Sequence, residues 1–125
     1  MTYVIPLNKA TVGRETRLLP PSLNARMHWS VRSRWTKAFQ EIVFWAIREA
    51  KVPKLERIVL TIEVRQCNEP DLDNLAASSK PIVDSLALAQ VIPDDHPRYL
   101  TELRLKSVHA KTKAEETVII TIEPV

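Results

Sequence analysis

The single glycine of this 125-residue chain, Gly13, is the feature that most restricts what the chain can fold into. Phosphate-binding Walker loops, dinucleotide-binding fingerprints and the G-x-S-x-G nucleophile elbow each need several glycines, because their backbone turns sharply or approaches a ligand closely. None of these sites can be built from this sequence. We therefore expect no small-molecule cofactor bound through a glycine-rich loop.

Cysteine content and hydropathy restrict the environment of the protein. The one cysteine, Cys67, permits neither an internal disulfide nor a cysteine-rich zinc site, and it suits a reducing compartment. The longest apolar run, Ile42–Ile47, is far shorter than the roughly 20 residues that cross a bilayer. Met1–Pro6 lacks the basic flank and apolar stretch of a secretion signal. We expect a cytoplasmic protein with no membrane partner.

Charge is distributed unevenly along the chain. Residues 1–55 carry ten Lys and Arg against three acidic residues, whereas residues 56–125 carry eight basic and twelve acidic residues. The basic first half favours a polyanionic partner, and the acid-rich second half favours a metal site. Two ordinary solvated surfaces would explain the counts equally well.

Apolar spacing predicts the elements of the first half. We expect a short strand over residues 2–5 that ends at Pro6, and irregular structure over residues 6–28. A helix is predicted from Val31 to Lys51, with Ser30 or Ser33 as its N-cap. A strand follows over residues 57–66, and its alternating apolar face consists of Ile58, Leu60, Ile62 and Val64.

The second half has a helical pattern followed by two alternating runs. We expect a helix from about Ser79 to Ala89, with Pro81 in its first turn. Residues 99–110 and 117–123 alternate as strands and are predicted to form a hairpin. The predicted order, β-α-β-α-β-β, indicates one α+β domain over residues 1–125, with helices packed on a mixed sheet.

The most informative polar segment is Pro70-Asp71-Leu72-Asp73-Asn74. In extended backbone, residues two apart project to the same side, so Asp71 and Asp73 would present both carboxylates to one point. Their mutual repulsion favours a bound cation, and Mg²⁺ prefers carboxylate oxygens together with water and substrate phosphate. The alternative, which is commoner for an isolated D-x-D-N, is that Asp71 and Asn74 cap the next helix.

The residues at the positions that two other kinds of metal site require exclude both of those sites. An EF-hand loop would need Gly and Glu where this chain has Ala76 and Ile82. A zinc hydrolase would need clustered histidines, but His28, His96 and His109 are widely spaced. A sugar-nucleotide transferase can also use an Asp-x-Asp metal site, but we expect no room for its donor-binding domain in 125 residues. This leaves a small metal site that faces a phosphodiester.

Further charged residues follow this segment. Lys80 and Asp84 are four residues apart, so they either form a helical ion pair or leave the Lys80 ammonium to hold a phosphate at the metal site. Asp94 and Asp95 form a second acidic pair, which turn chemistry after Pro93 would also explain.

Taken in order, these motifs resemble one family. Pro20-Pro21-Ser22-Leu23-Asn24 is similar to the P-P-S-x-N segment of the RusA-type Holliday junction resolvases. The remainder of that family's signature, D-x-D-N-L…K-P…D-x-L…D-D, is matched by Asp71–Leu75, Lys80-Pro81, Asp84–Leu86 and Asp94-Asp95. The order and spacing agree from about residue 20 to the C-terminus.

The resemblance implies a Mg²⁺-dependent endodeoxyribonuclease that acts as a homodimer on four-way junctions in DNA recombination and repair. The metal-binding catalytic acids would be Asp71, Asp73 and Asp95, and the essential lysine would be Lys80. The sequence departs from the shorter family pattern, in which the lysine lies six residues after the first aspartate, because Ala77 occupies that position. Asp94 is the alternative third ligand. Flaps or forks are alternative substrates, and a non-catalytic module that binds branched nucleic acid is the alternative function.

Basic and aromatic residues cluster around the start of the first long helix. Helical spacing turns Trp35, Phe39 and Ile42 toward the core and leaves Arg34 and Lys37 toward solvent. Phosphate contacts give affinity without reading sequence, which suits recognition of DNA shape. The predicted DNA-binding residues are Asn24, Arg26, His28, Arg32, Arg34 and Lys37.

Overall fold

A mixed four-stranded sheet with helices on one face forms the body of the protein, in a computed structural model that describes residues 1–21 and 26–125. Its strands are β1 (Tyr3–Leu7), β4 (Ile58–Gln66), β5 (Leu100–His109) and β6 (Thr117–Pro124), in the order β1-β6-β4-β5. A separate hairpin consists of β2 (Ala10–Val12) and β3 (Glu15–Arg17), and the helices are α1 (Trp29–Glu49), α2 (Leu72–Ser78) and α3 (Lys80–Leu88). A 3₁₀ turn covers Lys113–Glu115. The α+β class with a mixed sheet is confirmed, but the observed order of elements differs from the predicted one.

Strand β4 lies in the middle of the core. Its four alternating aliphatic residues, predicted to share one face, are all fully buried. They pack against the apolar faces of α1 and α3, to which α2 adds Leu75. A strand this apolar is stable in the centre of a sheet, where both of its edges are paired.

This central position explains why the predicted C-terminal hairpin is wrong. β4 lies between β5 and β6, and it pairs parallel to β5 and antiparallel to β6. The seven-residue connection between β5 and β6 crosses the end of β4, where the Cys67 amide donates to Glu116 Oε2 at 3.0 Å. The alternation correctly predicted two strands, but a tight hairpin would have left β4 without one of its neighbours.

The segment over residues 6–28 is more regular than predicted. β1 continues through Pro6. Proline has no backbone N–H to donate, and β1 tolerates this because it is an edge strand with one unpaired side. Gly13, at φ +62°, occupies the first position of the turn between β2 and β3. This hairpin packs on the N-terminal half of α1, where Trp35 and Phe39 are buried.

The helix boundaries also differ from the prediction. α1 begins two residues early, because the Nδ1 atom of its N-cap His28 accepts a hydrogen bond from the Ser30 amide. Residues 72–78, which precede the predicted start of the second helix at about Ser79, form α2, and Ser79 separates it from α3. Pro81 lies in the first turn of α3, as predicted. Within residues 1–21 and 26–125, no helix is long and apolar enough to span a bilayer.

Candidate nuclease site

The acidic segment after β4 is fixed to β5. The Ser107 hydroxyl donates a hydrogen bond to the Pro70 carbonyl at 2.8 Å, immediately before Asp71. One residue earlier, Glu69 Oε2 lies 3.1 Å from His109 Nδ1 at the end of β5. These two contacts hold the chain beside the carboxyl end of β5 and so fix where α2 begins. Neither contact was predicted from the sequence, because β5 was expected to pair with β6.

Asp71 and Asp73 lie at the N-terminus of α2. Asp71 is the N-cap with extended backbone, and Asp73 lies in the first helical turn, so the prediction that both lie on one extended strand is wrong. Both side chains are exposed, and neither forms a hydrogen bond or ion pair within the part of the chain that the structure describes. Asp71 therefore holds the N-cap position, but its carboxylate makes no capping bond.

Lys80, the first residue of α3, contacts two carboxylates. Its Nζ lies 3.5 Å from Asp84 Oδ1 and 4.0 Å from Asp95 Oδ2. The first contact is the predicted pair one helical turn apart, and the second crosses from the loop before β5. Because all three side chains are partly exposed, these contacts orient the lysine more than they stabilise the fold.

The two adjacent aspartates of that loop have different contacts. Asp94 Oδ1 accepts a hydrogen bond from the His96 amide at 3.1 Å and so stabilises its own turn. Asp95 instead directs an oxygen toward Lys80. Turn chemistry alone does not distinguish Asp94 from Asp95, but their contacts in the structure do.

The carboxylates can be compared with what a magnesium ion requires. Among the described residues, no group of three or more His, Cys, Asp or Glu side chains lies close enough together to hold a metal ion. Mg²⁺, however, is commonly bound through one or two carboxylates, with water and substrate phosphate completing its six ligands. The carboxylate oxygens of Asp71 and Asp73, which are exposed and unpaired within the described residues, are ligands of the type that Mg²⁺ prefers.

The predicted DNA-binding residues have several environments. Asn24 lies outside the described residues, as do its neighbours Ser22 and Leu23. Arg26 is exposed and Arg32 is half-buried. His28 caps α1 and lies against the exposed Trp29, with 5.6 Å between the ring centroids.

The solvent face of α1 carries the other two predicted DNA-binding residues. Arg34 and Lys37 are exposed there, as the helical spacing indicated. The exposed side chain of Arg48 continues this face at the far end of the helix, where its guanidinium lies 5.0 Å from the Phe44 ring centroid. Arg48 is not among the predicted DNA-binding residues, although a helical projection of the sequence places it on the same face as Lys37.

No protein-family model matches this chain, and no curated protein matches it either.

Proposed function

We propose that the protein is a Mg²⁺-dependent, structure-selective endodeoxyribonuclease that resolves Holliday junctions. The observation that carries the proposal is the contact between Lys80 and Asp95, which joins two separated parts of the motif series. Lys80 and Asp95 are fifteen positions apart in the sequence, and nothing in the local spacing requires the two residues to meet. The resemblance to the resolvase family supplies the substrate class and the reaction.

In this proposal, Asp71, Asp73 and Asp95 would hold Mg²⁺, and the bound ion would supply an activated water for phosphodiester hydrolysis. Lys80 places its ammonium near the same phosphate, where it would offset the negative charge that develops in the transition state. Asp84 and Asp95 orient that ammonium. Arg34 and Lys37 supply sequence-independent contacts to the DNA backbone.

A homodimer would bring two such sites to one junction. Resolution needs an incision in each of two strands, and two subunits related by a two-fold axis present the same site to each strand. The symmetry of the four-way junction therefore favours a dimer over a single subunit that cuts twice.

The decisive experiment is cleavage of a synthetic four-way junction by wild type and Asp71→Asn, in Mg²⁺ and in chelator. Asn keeps the size of Asp and caps a helix equally well, but it removes one charge and one ligand for a hard cation. We expect junction cleavage to fall by about a hundredfold or more, while junction binding in chelator persists. Cleavage near the wild-type rate by folded Asp71→Asn would contradict the metal site.

The two loop aspartates provide a matched pair of variants. Asp95→Asn should reduce cleavage strongly, because it removes a proposed ligand and a contact of Lys80. Asp94→Asn should remain active, because an amide oxygen can still accept the hydrogen bond from His96. Equal activity of the two variants would remove Asp95 from the site. Junction binding by wild type without cleavage in Mg²⁺ would instead favour the non-catalytic binding module.

A further inference from the structure

Helix α1 ends in a backbone conformation that usually requires glycine. Lys51 has φ +57°, its amide donates to the Arg48 carbonyl at 3.1 Å, and the next amide, of Val52, donates to Ile47 at 3.3 Å. This hydrogen-bond pattern is a Schellman motif, in which the left-handed residue is most often glycine because a Cβ atom is strained there.

Helix α3 ends in the same way. Gln90 has φ +61°, its amide donates to Ala87 at 3.0 Å, and the Val91 amide donates to Leu86 at 2.9 Å. The chain thus places Lys and Gln at two positions where glycine would be less strained. Strained backbone of this kind is found preferentially at functional sites, where the side chain has a role besides stability.

The ends of the two helices line one shared concavity of about 320 Å³. Its lining residues are Ile47, Arg48, Lys51, Val52, Lys54, Ala89 and Gln90. Three of them are cations and none of these described lining residues is acidic. We call Arg48, Lys51, Lys54 and Gln90 the helix-end patch.

Local helix electrostatics explains only part of the helix-end patch. Arg48 lies in the last turn of α1, where a cation is favoured by the helix dipole, and it also contacts Phe44. Lys51 and Lys54 lie beyond that turn and form no ion pair among the described residues. Two ammonium groups that form no ion pair within the described part of the chain, beside a concave surface, favour an anionic ligand.

We infer that the helix-end patch binds phosphates of a nucleic-acid backbone, apart from the residues that would perform cleavage. For its substrate class this inference rests on the proposed function. Lys80 is the first residue of α3, and Gln90 of the helix-end patch follows the last turn of α3, ten residues later, which is about 15 Å along the helix axis. That length corresponds to about four or five base pairs of duplex, so one arm of a junction can reach both.

The test is binding of a short fluorescent DNA duplex in chelator, over a series of salt concentrations, by wild type, Lys51→Gly and Lys51→Gly/Lys54→Ala. Each lost phosphate contact should weaken binding about eightfold at 0.1 M salt and reduce the slope of log K against log salt by about 0.9. Glycine relieves the left-handed strain, so Lys51→Gly should also raise the melting temperature by about 2–5 °C. Higher stability with weaker binding is the expected combination.

Lys106→Ala is the matched control for loss of charge. Lys106 is exposed on edge strand β5 and is the register partner of Glu63, so it lies on the sheet face opposite the buried β4 residues that α1 and α3 cover. It should leave both affinity and salt slope unchanged. Wild-type affinity and salt slope in Lys51→Gly/Lys54→Ala would overturn the inference, and so would an equal loss in Lys106→Ala.

Junction cleavage in Mg²⁺ by the same proteins distinguishes this inference from the proposed function. If wild type does not cleave, but the double variant loses duplex binding, the helix-end patch stands and the nuclease proposal fails. If wild type cleaves and the double variant binds duplex as wild type does, the nuclease proposal stands and the helix-end patch fails.

Discussion

The Cys67 thiol lies where β4 ends and the connection to β6 crosses it. Partial burial, followed by the charge of Glu116, raises the pKa of Cys67 above its usual value. The thiolate is the reactive form, so folding should slow alkylation near neutral pH. We expect iodoacetamide to modify the folded protein more slowly than the urea-unfolded chain, with the folded rate rising at higher pH. A folded rate equal to the unfolded one would contradict this.

Two neighbouring carboxylates allow the effect of charge on the pKa of Cys67 to be tested apart from the effect of burial. Glu116→Gln keeps an oxygen that can accept from the Cys67 amide but removes the charge, so alkylation should become faster. Glu115 also raises the pKa of Cys67, but it contributes less. Glu115→Gln should therefore accelerate alkylation less than Glu116→Gln does.

Whether the contacts of a single residue could be predicted depended on how far apart the two partners lie in the sequence. The Lys80–Asp84 pair is confirmed, because four residues of helix place both side chains on one face. The separate contacts of Asp94 and Asp95 depend on how a loop returns to the start of α3, which local spacing does not encode. Sequence could therefore nominate the members of the candidate site but could not predict which of them meet.

At the level of elements, we expect side-chain truncation to lower the free energy of unfolding by very different amounts in two neighbouring strands. Leu60 on β4 and Leu103 on β5 are register partners, yet Leu60 is 0% exposed and Leu103 is 39% exposed. Leu60→Ala should lower the free energy of unfolding by about 2–5 kcal/mol, because it leaves a cavity in the core. Leu103→Ala should cost about 1 kcal/mol or less. Urea denaturation of both variants measures the difference, and equal losses would contradict the central position of β4.

The same contrast explains which elements sequence could predict. The alternation of β4 follows from burial of one face, so its extent and apolar residues were predicted correctly. The β2–β3 hairpin was missed because three-residue strands carry too few alternations to be recognised. α2 was missed because its exposed, polar first turn resembles a loop.

At the scale of the whole molecule, pairing order was the least predictable property. Alternation shows that a segment is a strand, but it does not show which strands become its neighbours. The seven-residue connection after β5 allows the chain to cross β4, and the burial of β4 between two partners then determines the sheet order. The predicted α+β class is confirmed because it depends only on which elements form. The predicted hairpin is wrong because it depended on which strands pair.

The sheet edges and the exposed aromatics together suggest where two subunits would meet. Pro6 interrupts the donors of edge strand β1, and charged side chains cover edge strand β5, so neither edge favours pairing between subunits. Trp45 on α1 is 66% exposed beside a concavity that Pro6 also lines. An exposed tryptophan at the mouth of a concavity is typical of a protein interface.

We therefore expect a dimer whose interface includes Trp45. Light scattering at micromolar concentration should give about twice the chain mass of 14.3 kDa. Trp45→Glu should shift that mass toward a single chain, because a buried unpaired carboxylate opposes association. Val108→Glu, which places the same charge at an exposed apolar position on the opposite edge strand, should remain dimeric. A wild-type mass of one chain would contradict the dimer, and a dimeric Trp45→Glu would move the interface elsewhere.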